Sequence, residues 1–324
     1  MVKINHNYAV DPDKVTLPED YTEKSISFLK KAMDSFFVDY QLPTSLAVAL
    51  SGGLDSATAL AGSLNSVGKK KTTALVLEHY YETKGEEEDK KIREELIKIY
   101  QPKVKRVDIT SLVGAHYNLI KEMPAGKQKE ILKAESITRA RASAIETIAS
   151  KESLLIIDTC NITEEALGNL TKGDYCGDVG IFNCLFKSEV YALAKSYGLP
   201  GFVLEQEKRI SELSMTHKQM FGADYRVLEP VIWAYVNNIS SQRLSEVCGH
   251  SIDWIDSIYE RVNNSRFRYS ADGGPPASID EYIESNSFYV KGIREVNESC
   301  SKKLKRQLYK KRKSYFPGLT PTLK

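Results

Sequence analysis

The sequence predicts an α/β fold, a parallel sheet covered by helices on both faces. Three observations predict it. Apolar runs of strand length alternate with amphipathic stretches of helical length through the first two hundred residues. The run Leu154-Leu155-Ile156-Ile157 is continuously apolar, as a strand buried on both faces is. The run Leu46-Ala47-Val48-Ala49-Leu50 passes straight into Ser51-Gly52-Gly53-Leu54-Asp55-Ser56 and then into a helical stretch. That order of strand, small-residue turn and helix is built to receive phosphates.

The elements follow in chain order. Residues 1–44 read as a loop and a helical segment, with a helix over 21–40. Its apolar stripe is Ile26, Phe28, Leu29, Met33, Phe36 and Phe37, a packing face or a dimer contact. Strand 46–50 and the loop lead into a helix over 57–64. A second strand spans 73–77. A charged helix spans 85–100, with Ile92, Leu96 and Ile99 inward and acids at its favourable N-terminal end. A weaker strand spans 104–109, then a helix 116–122. Pro124-Ala125-Gly126 breaks the pattern before a long helix over 127–150. Strand 154–159 completes the predicted sheet. Beyond residue 200 a short turn precedes two helical stretches. Gly273-Gly274-Pro275-Pro276 then marks a boundary. The expected organisation is an N-terminal segment 1–44, a main domain 45–276 and a basic extension 277–324. For the extension a solvated terminal helix is preferred over nucleic-acid binding. Ligands of such Rossmann-like sheets bind at the carboxyl ends of strands, so residues 51–56 and 158–161 should face one crevice.

Composition narrows the function. At 324 residues and net charge +2, the chain can bury a large core and has no global field for nucleic acid. No apolar run is long enough to span a membrane, and the start has no signal core, so a cytoplasmic protein is expected. The five cysteines form no C-x-x-C pair, and the five histidines no close pair, which argues against zinc and redox dithiols.

The loop 51–56 defines the chemistry. Gly52 and Gly53 let the backbone approach a ligand, the helix behind offers its amides, and Ser51 and Ser56 add hydroxyls. Asp55 is a carboxylate beside phosphates and needs a cation between them, for which magnesium is the natural choice. There is no lysine of the G-x-x-x-x-G-K-[ST] loop and no G-x-G-x-x-G at this turn. SGGLDS resembles the pyrophosphate loop of the ATP pyrophosphatase superfamily, with its adenine nucleotide α-hydrolase-like fold. That resemblance implies cleavage of ATP between the α and β phosphates and transfer of AMP to a substrate oxygen.

A second motif sharpens the resemblance. Asp158-Thr159-Cys160-Asn161-Ile162-Thr163-Glu164 leads to Leu167-Gly168, Thr171-Lys172-Gly173-Asp174, Asp178 and Leu185-Phe186-Lys187. Together with the loop this resembles NAD synthetase over roughly residues 22–276. The resemblance implies that Ser51, Gly52, Gly53, Leu54, Asp55 and Ser56 bind ATP, with Thr159, Lys187 and Ser211. It implies Asp55 and Glu164 as magnesium ligands, and Asp55 and Lys187 as the catalytic pair. Arg139, Lys172, Asp178 and Arg266 would contact the dinucleotide substrate. The chain departs from the family pattern at Asp158, usually glycine, and in 171–174, which lacks one residue. It departs again at 215–218 and at Ser265-Arg266, where the family has His-Lys. Most departures touch the acceptor side rather than the ATP loop.

The implied reaction is ATP-dependent amidation of nicotinic acid adenine dinucleotide (deamido-NAD) through an acyl-adenylate, giving NAD, AMP and pyrophosphate. Residues 1–44 are too few for an added amidase domain, and no cysteine precedes Cys160, so free ammonia or a separate subunit should supply the nitrogen. Segments 79–90 and 204–222 are expected lids. A homodimer is implied by the resemblance, with the stripe at 26–37 as its expected contact. Three alternatives stand beside this reading: a ligase of the same superfamily acting on another acid, an RNA-modifying adenylating enzyme, and a nucleotide-binding regulator.

Overall fold

The computed structural model describes residues 3–38, 41–81, 86–169, 171, 177–205, 209–210, 215–269, 277–278, 302–316 and 318–319. The strands are β1 (Ser45–Ala49), β2 (Thr72–Glu78), β3 (Lys103–Asp108), β4 (Leu154–Asp158), β5 (Val179–Gly180), β6 (Arg209–Ile210), β7 (Met215–Thr216) and β8 (Ala277–Ser278). Six of them form a sheet in the order β3-β2-β1-β4-β5-β8, and every pairing in it is parallel. β6 and β7 form a separate antiparallel ribbon.

β1 lies between β2 and β4, with Ala47 opposite Thr73 on one side and Ile156 on the other. The chain runs outward from β1 through β2 to β3. It then returns to the other side of β1 at β4. The strand order thus reverses at β1 and β4, the point at which such sheets take a ligand outside the carboxyl ends of their strands. The predicted strands lie within one or two residues of those observed. β5 and β8 were not predicted, because two residues carry no periodicity.

The helices around the sheet are α1 (Tyr21–Ser35), α2 (Leu54–Val67), α3 (Glu86–Tyr100), α4 (Thr110–Leu119) and α5 (Lys127–Glu152). α6 (Ile162–Ala166), α7 (Lys187–Ser196), α8 (Gly201–Leu204), α9 (His217–Phe221), α10 (Tyr225–Val236), α11 (Ser241–Cys248), α12 (Ile252–Tyr269) and α13 (Lys302–Tyr315) follow. Phe28, Leu29, Ala32 and Met33 of α1 are buried in one cluster with Leu60 of α2 and Leu46 of β1. This corrects the expected dimer contact: most of the stripe is spent inside the chain, and only Phe37 is fully outside, at 70% exposed. On α3 the inward face also differs. Ile99 is exposed, whereas Arg93 is buried beside Leu96.

On the other sheet face, Ile137, Ala140, Ile145 and Ile148 of α5 cover Ala47, Leu75 and Ile156. A third cluster joins α6, α10, α11 and α12. The C-terminal helix is not the solvated one that its charge suggested. Leu308, Tyr315 and the following Phe316 and Leu319 are buried, and Phe316 stacks edge-on against Phe186 at 5.8 Å. Four apolar side chains face inward while Lys310 and Lys313 remain in water. Burying each of them contributes about 1.5–3 kcal/mol, which outweighs any repulsion among exposed lysines.

Candidate active site

The loop after β1 is tied by its own serines. The Ser51 and Ser56 hydroxyls are 3.0 Å apart, the Gly53 amide donates to Ser51 Oγ at 3.2 Å, and Ser56 Oγ donates to the Gly53 carbonyl at 3.1 Å. Gly52 has φ +106°, and a Cβ there would run into the Asp89 carbonyl of α3. Only glycine fits that position. Leu54 is buried and anchors the first turn of α2, while Gly53 caps it without a side-chain bond. The first amides of α2 are thus left for a ligand. Arg93 Nη1 reaches the Ser51 carbonyl at 3.4 Å from behind.

Asp55 stands in the first turn of α2 and meets groups from two other helices. Lys187 Nζ is bonded to Asp55 Oδ2 and to Glu164 Oε1, the latter at 3.1 Å. Lys187 is the first residue of α7, where a helix dipole disfavours a cation, and its side chain is only 9% exposed. Two carboxylates make that placement tolerable. Burial works against the lysine charge, but Asp55 and Glu164 hold its pKa above the ordinary lysine value. Burial, aided by Asp55 and opposed by Lys187, pushes Glu164 up to about 7.

Asn161, expected only as part of the strand end that faces the crevice, joins the two acids. Asn161 Oδ1 accepts the Glu164 amide at 3.2 Å as the N-cap of α6, and its Nδ2 donates to Asp55 Oδ1 at 3.4 Å. Its signal was an asparagine three residues ahead of Glu164 at a strand end. Beneath the cluster lies Glu229 of α10, fully buried. Its carboxylate accepts from Thr163 Oγ1 and the Ser188 amide, each at 3.0 Å, and from the Ser188 hydroxyl. Thr163 Oγ1 in turn accepts the Lys187 amide at 3.0 Å.

Asp158, the departure from glycine, uses its carboxylate to hold the strand-end turn. It accepts from the Cys160 amide and from Asn183 Nδ2, both at 3.1 Å, and burial raises its pKa. Thr159 follows β4, half-buried at the same end of the sheet. The structure therefore brings together the loop, Asp55, Glu164 and Lys187. Two predicted acceptor residues have partners within the chain. Arg139 pairs with Glu135 on α5 at 2.8 Å, and Oδ2 of the exposed Asp178 accepts the Ile156 amide at 2.7 Å. Lys172 and Ser211 lie outside the described residues. Arg266 falls on α12, with its side chain outside them. The expected lids, 79–90 and 204–222, also contain residues outside the described set.

A magnesium ion fits the donors. Asp55 and Glu164 offer hard oxygens around a position where a cation, the Lys187 ammonium, already stands. Among the described residues no group of three or more His, Cys, Asp and Glu could hold a metal. Two carboxylates are enough when phosphates and water complete the shell. No described helix is long and apolar enough to cross a membrane.

Comparison with known proteins agrees with this geometry. The NAD synthase family model matches residues 23–271. The NH3-dependent NAD(+) synthetase of Thermococcus kodakarensis is 27% identical over 232 residues, which cover 70% of this chain and 87% of that protein. That of Pyrobaculum aerophilum is 28% identical over 263 residues, 81% and 93% of the two chains. Among solved structures, the NMN synthetase of Francisella tularensis superposes with a TM-score of 0.60 at 20% identity, over 78% of this chain and 96% of that one. That likeness shows the shared fold. With the family match covering most of the chain, the protein belongs to the NAD synthase family of AMP-forming carbon–nitrogen ligases.

Proposed function

We propose that the protein amidates deamido-NAD with ammonia, converting ATP to AMP and pyrophosphate and releasing NAD. The observation that carries this reading is the meeting of Asp55, Glu164 and Lys187 beside a glycine loop at the sheet's switch point. Magnesium held by Asp55 and Glu164 would supply positive charge to the ATP phosphate oxygens. The amides of the loop and the Ser51 and Ser56 hydroxyls bind the pyrophosphate end. Thr159 and Ser211 complete the ATP site. A substrate carboxylate oxygen attacks the α-phosphorus, and the bond to pyrophosphate breaks. Lys187 neutralises charge that grows on the α-phosphate oxygens as this happens. Ammonia then attacks the acyl carbonyl and loses a proton, and AMP leaves with the former carboxylate oxygen. Arg139, Lys172, Asp178 and Arg266 are the acceptor contacts of this reading, in a cytoplasmic homodimer without nucleic acid.

A second reading, a ligase of the same chemistry on another acid, is favoured by one observation. One oxygen of the exposed Asp178 carboxylate is committed to a strand amide, which leaves only the other for an acceptor. The test is AMP release from ATP, magnesium and ammonium, with deamido-NAD compared with a panel of carboxylic acids. AMP and NAD from deamido-NAD support the first reading. AMP only with another acid supports the second.

A further inference from the structure

We propose that the C-terminal helix α13 is part of the catalytic unit, and that Arg312 is a positioning residue for Lys187. This rests on the role given to Lys187 above. The family match ends at residue 271, whereas α13 begins at Lys302. Yet α13 reaches the turn that carries the lysine. Arg312 donates from Nε to Glu189 Oε1 at 3.0 Å and from Nη2 to Glu189 Oε2 at 2.8 Å. The same Nη2 donates to the Cys184 carbonyl at 2.6 Å. Its guanidinium lies 4.4 Å from the centre of the Phe186 ring. Tyr315, three residues on and on the same helix face, donates its hydroxyl to Glu189 Oε1.

Glu189 has no exposed surface, and it stands two residues after Lys187 in the first turn of α7. Its Oε2 also accepts the Phe186 amide at 2.8 Å, which closes the cap of that turn. Arg312 and Tyr315 therefore fix the group that fixes the backbone on either side of Lys187. Attachment of the tail does not require this pair, since Leu308, Phe316 and Leu319 are already buried. A buried ion pair is a poor source of stability but a good source of orientation when bidentate. Orientation is what a charged catalytic group needs, because a shift of about 1 Å can cost about 100-fold in rate.

The experiment uses the full chain and compares Arg312→Gln, Tyr315→Phe and a control, Val113→Ala. Val113 is buried on the opposite sheet face, among Ile109, Leu75 and Ile137. Two quantities are read besides melting temperature: kcat against KM for AMP formation, and hydrogen exchange of the amides of residues 186–190. We expect kcat to fall about 10-fold or more in Arg312→Gln and a few-fold in Tyr315→Phe, with KM for ATP nearly unchanged. Exchange at 186–190 should rise about 10-fold or more in Arg312→Gln, while Val113→Ala lowers the melting temperature without changing either quantity. If both α13 variants behave as Val113→Ala does, the proposal is wrong. Should Arg312→Gln fail to fold, Tyr315→Phe decides alone. Should the wild type release no AMP with any acid, the functional reading has failed, and the exchange data still decide whether α13 holds this turn.

Discussion

The ammonium of Lys187 bonds the carboxylate of Asp55 across 132 positions of sequence, and reaches Glu164 with its remaining hydrogens. Removing the lysine leaves two partly buried acids facing each other. Lys187→Met should therefore cost about 3–5 kcal/mol of stability in metal-free buffer. Magnesium should return part of that loss, since a divalent ion takes the position the ammonium held. Denaturant titrations with and without magnesium check this. Indifference to the metal would mean that the two acids do not share one.

Asp55→Asn removes a charge from the loop without changing its shape. AMP formation should drop about 1000-fold, while the melting temperature falls less than in Lys187→Met, because Lys187 keeps Glu164 as a partner. Steady-state kinetics and a thermal melt of the same preparation check both halves.

Asn161 orients both acids, by its Nδ2 toward Asp55 and its Oδ1 at the Glu164 amide. Asn161→Ala should raise the magnesium concentration for half-maximal rate about 10–100-fold. The lost cap should cost only about 1 kcal/mol. Metal titrations of turnover, beside unfolding curves, separate the two effects.

Glu229 gives a pH signature. Burial, opposed by the hydrogen bonds from Ser188 and Thr163, pushes its carboxyl from 4.5 up to about 7. The folded protein keeps that proton through a window in which the unfolded chain has released it. Its contribution to stability is thus fully present below the unfolded value and is lost as pH rises toward the folded one. Glu229→Gln imitates the protonated form. Relative to the wild type it should gain on the order of 3 kcal/mol as pH rises across that window. Unfolding free energies at closely spaced pH values check the slope difference.

Gly52→Ala meets both a positive φ and the Asp89 carbonyl. It should weaken ATP binding strongly, seen as a raised KM for ATP, and lower the melting temperature, because α3 must move away from the loop.

The parts legible in the sequence are those specified locally. A buried strand, two glycines and a helix lie within adjacent residues, so the loop and Asp55 could be read directly. Glu164 and Lys187 needed the spacing of a known pattern, since nothing near them in sequence says that they meet. Asn161 was expected at the crevice without a role for the same reason: its value lies in reaching Asp55 from another strand end. β5 and β8 are too short to carry a period. In α13 and the residues that follow it, the dense positive charge hid four inward apolar side chains. The α1 stripe was visible, but its partner was not, because an apolar face looks alike whether it meets its own chain or another.

The central claim is that an acid oxygen captures the α-phosphorus of ATP. The direct measurement is the fate of a heavy-oxygen label in the substrate carboxylate, followed by mass spectrometry of the products. One labelled oxygen should appear in the phosphate of AMP, with pyrophosphate unlabelled. Label in inorganic phosphate accompanied by ADP would contradict the account.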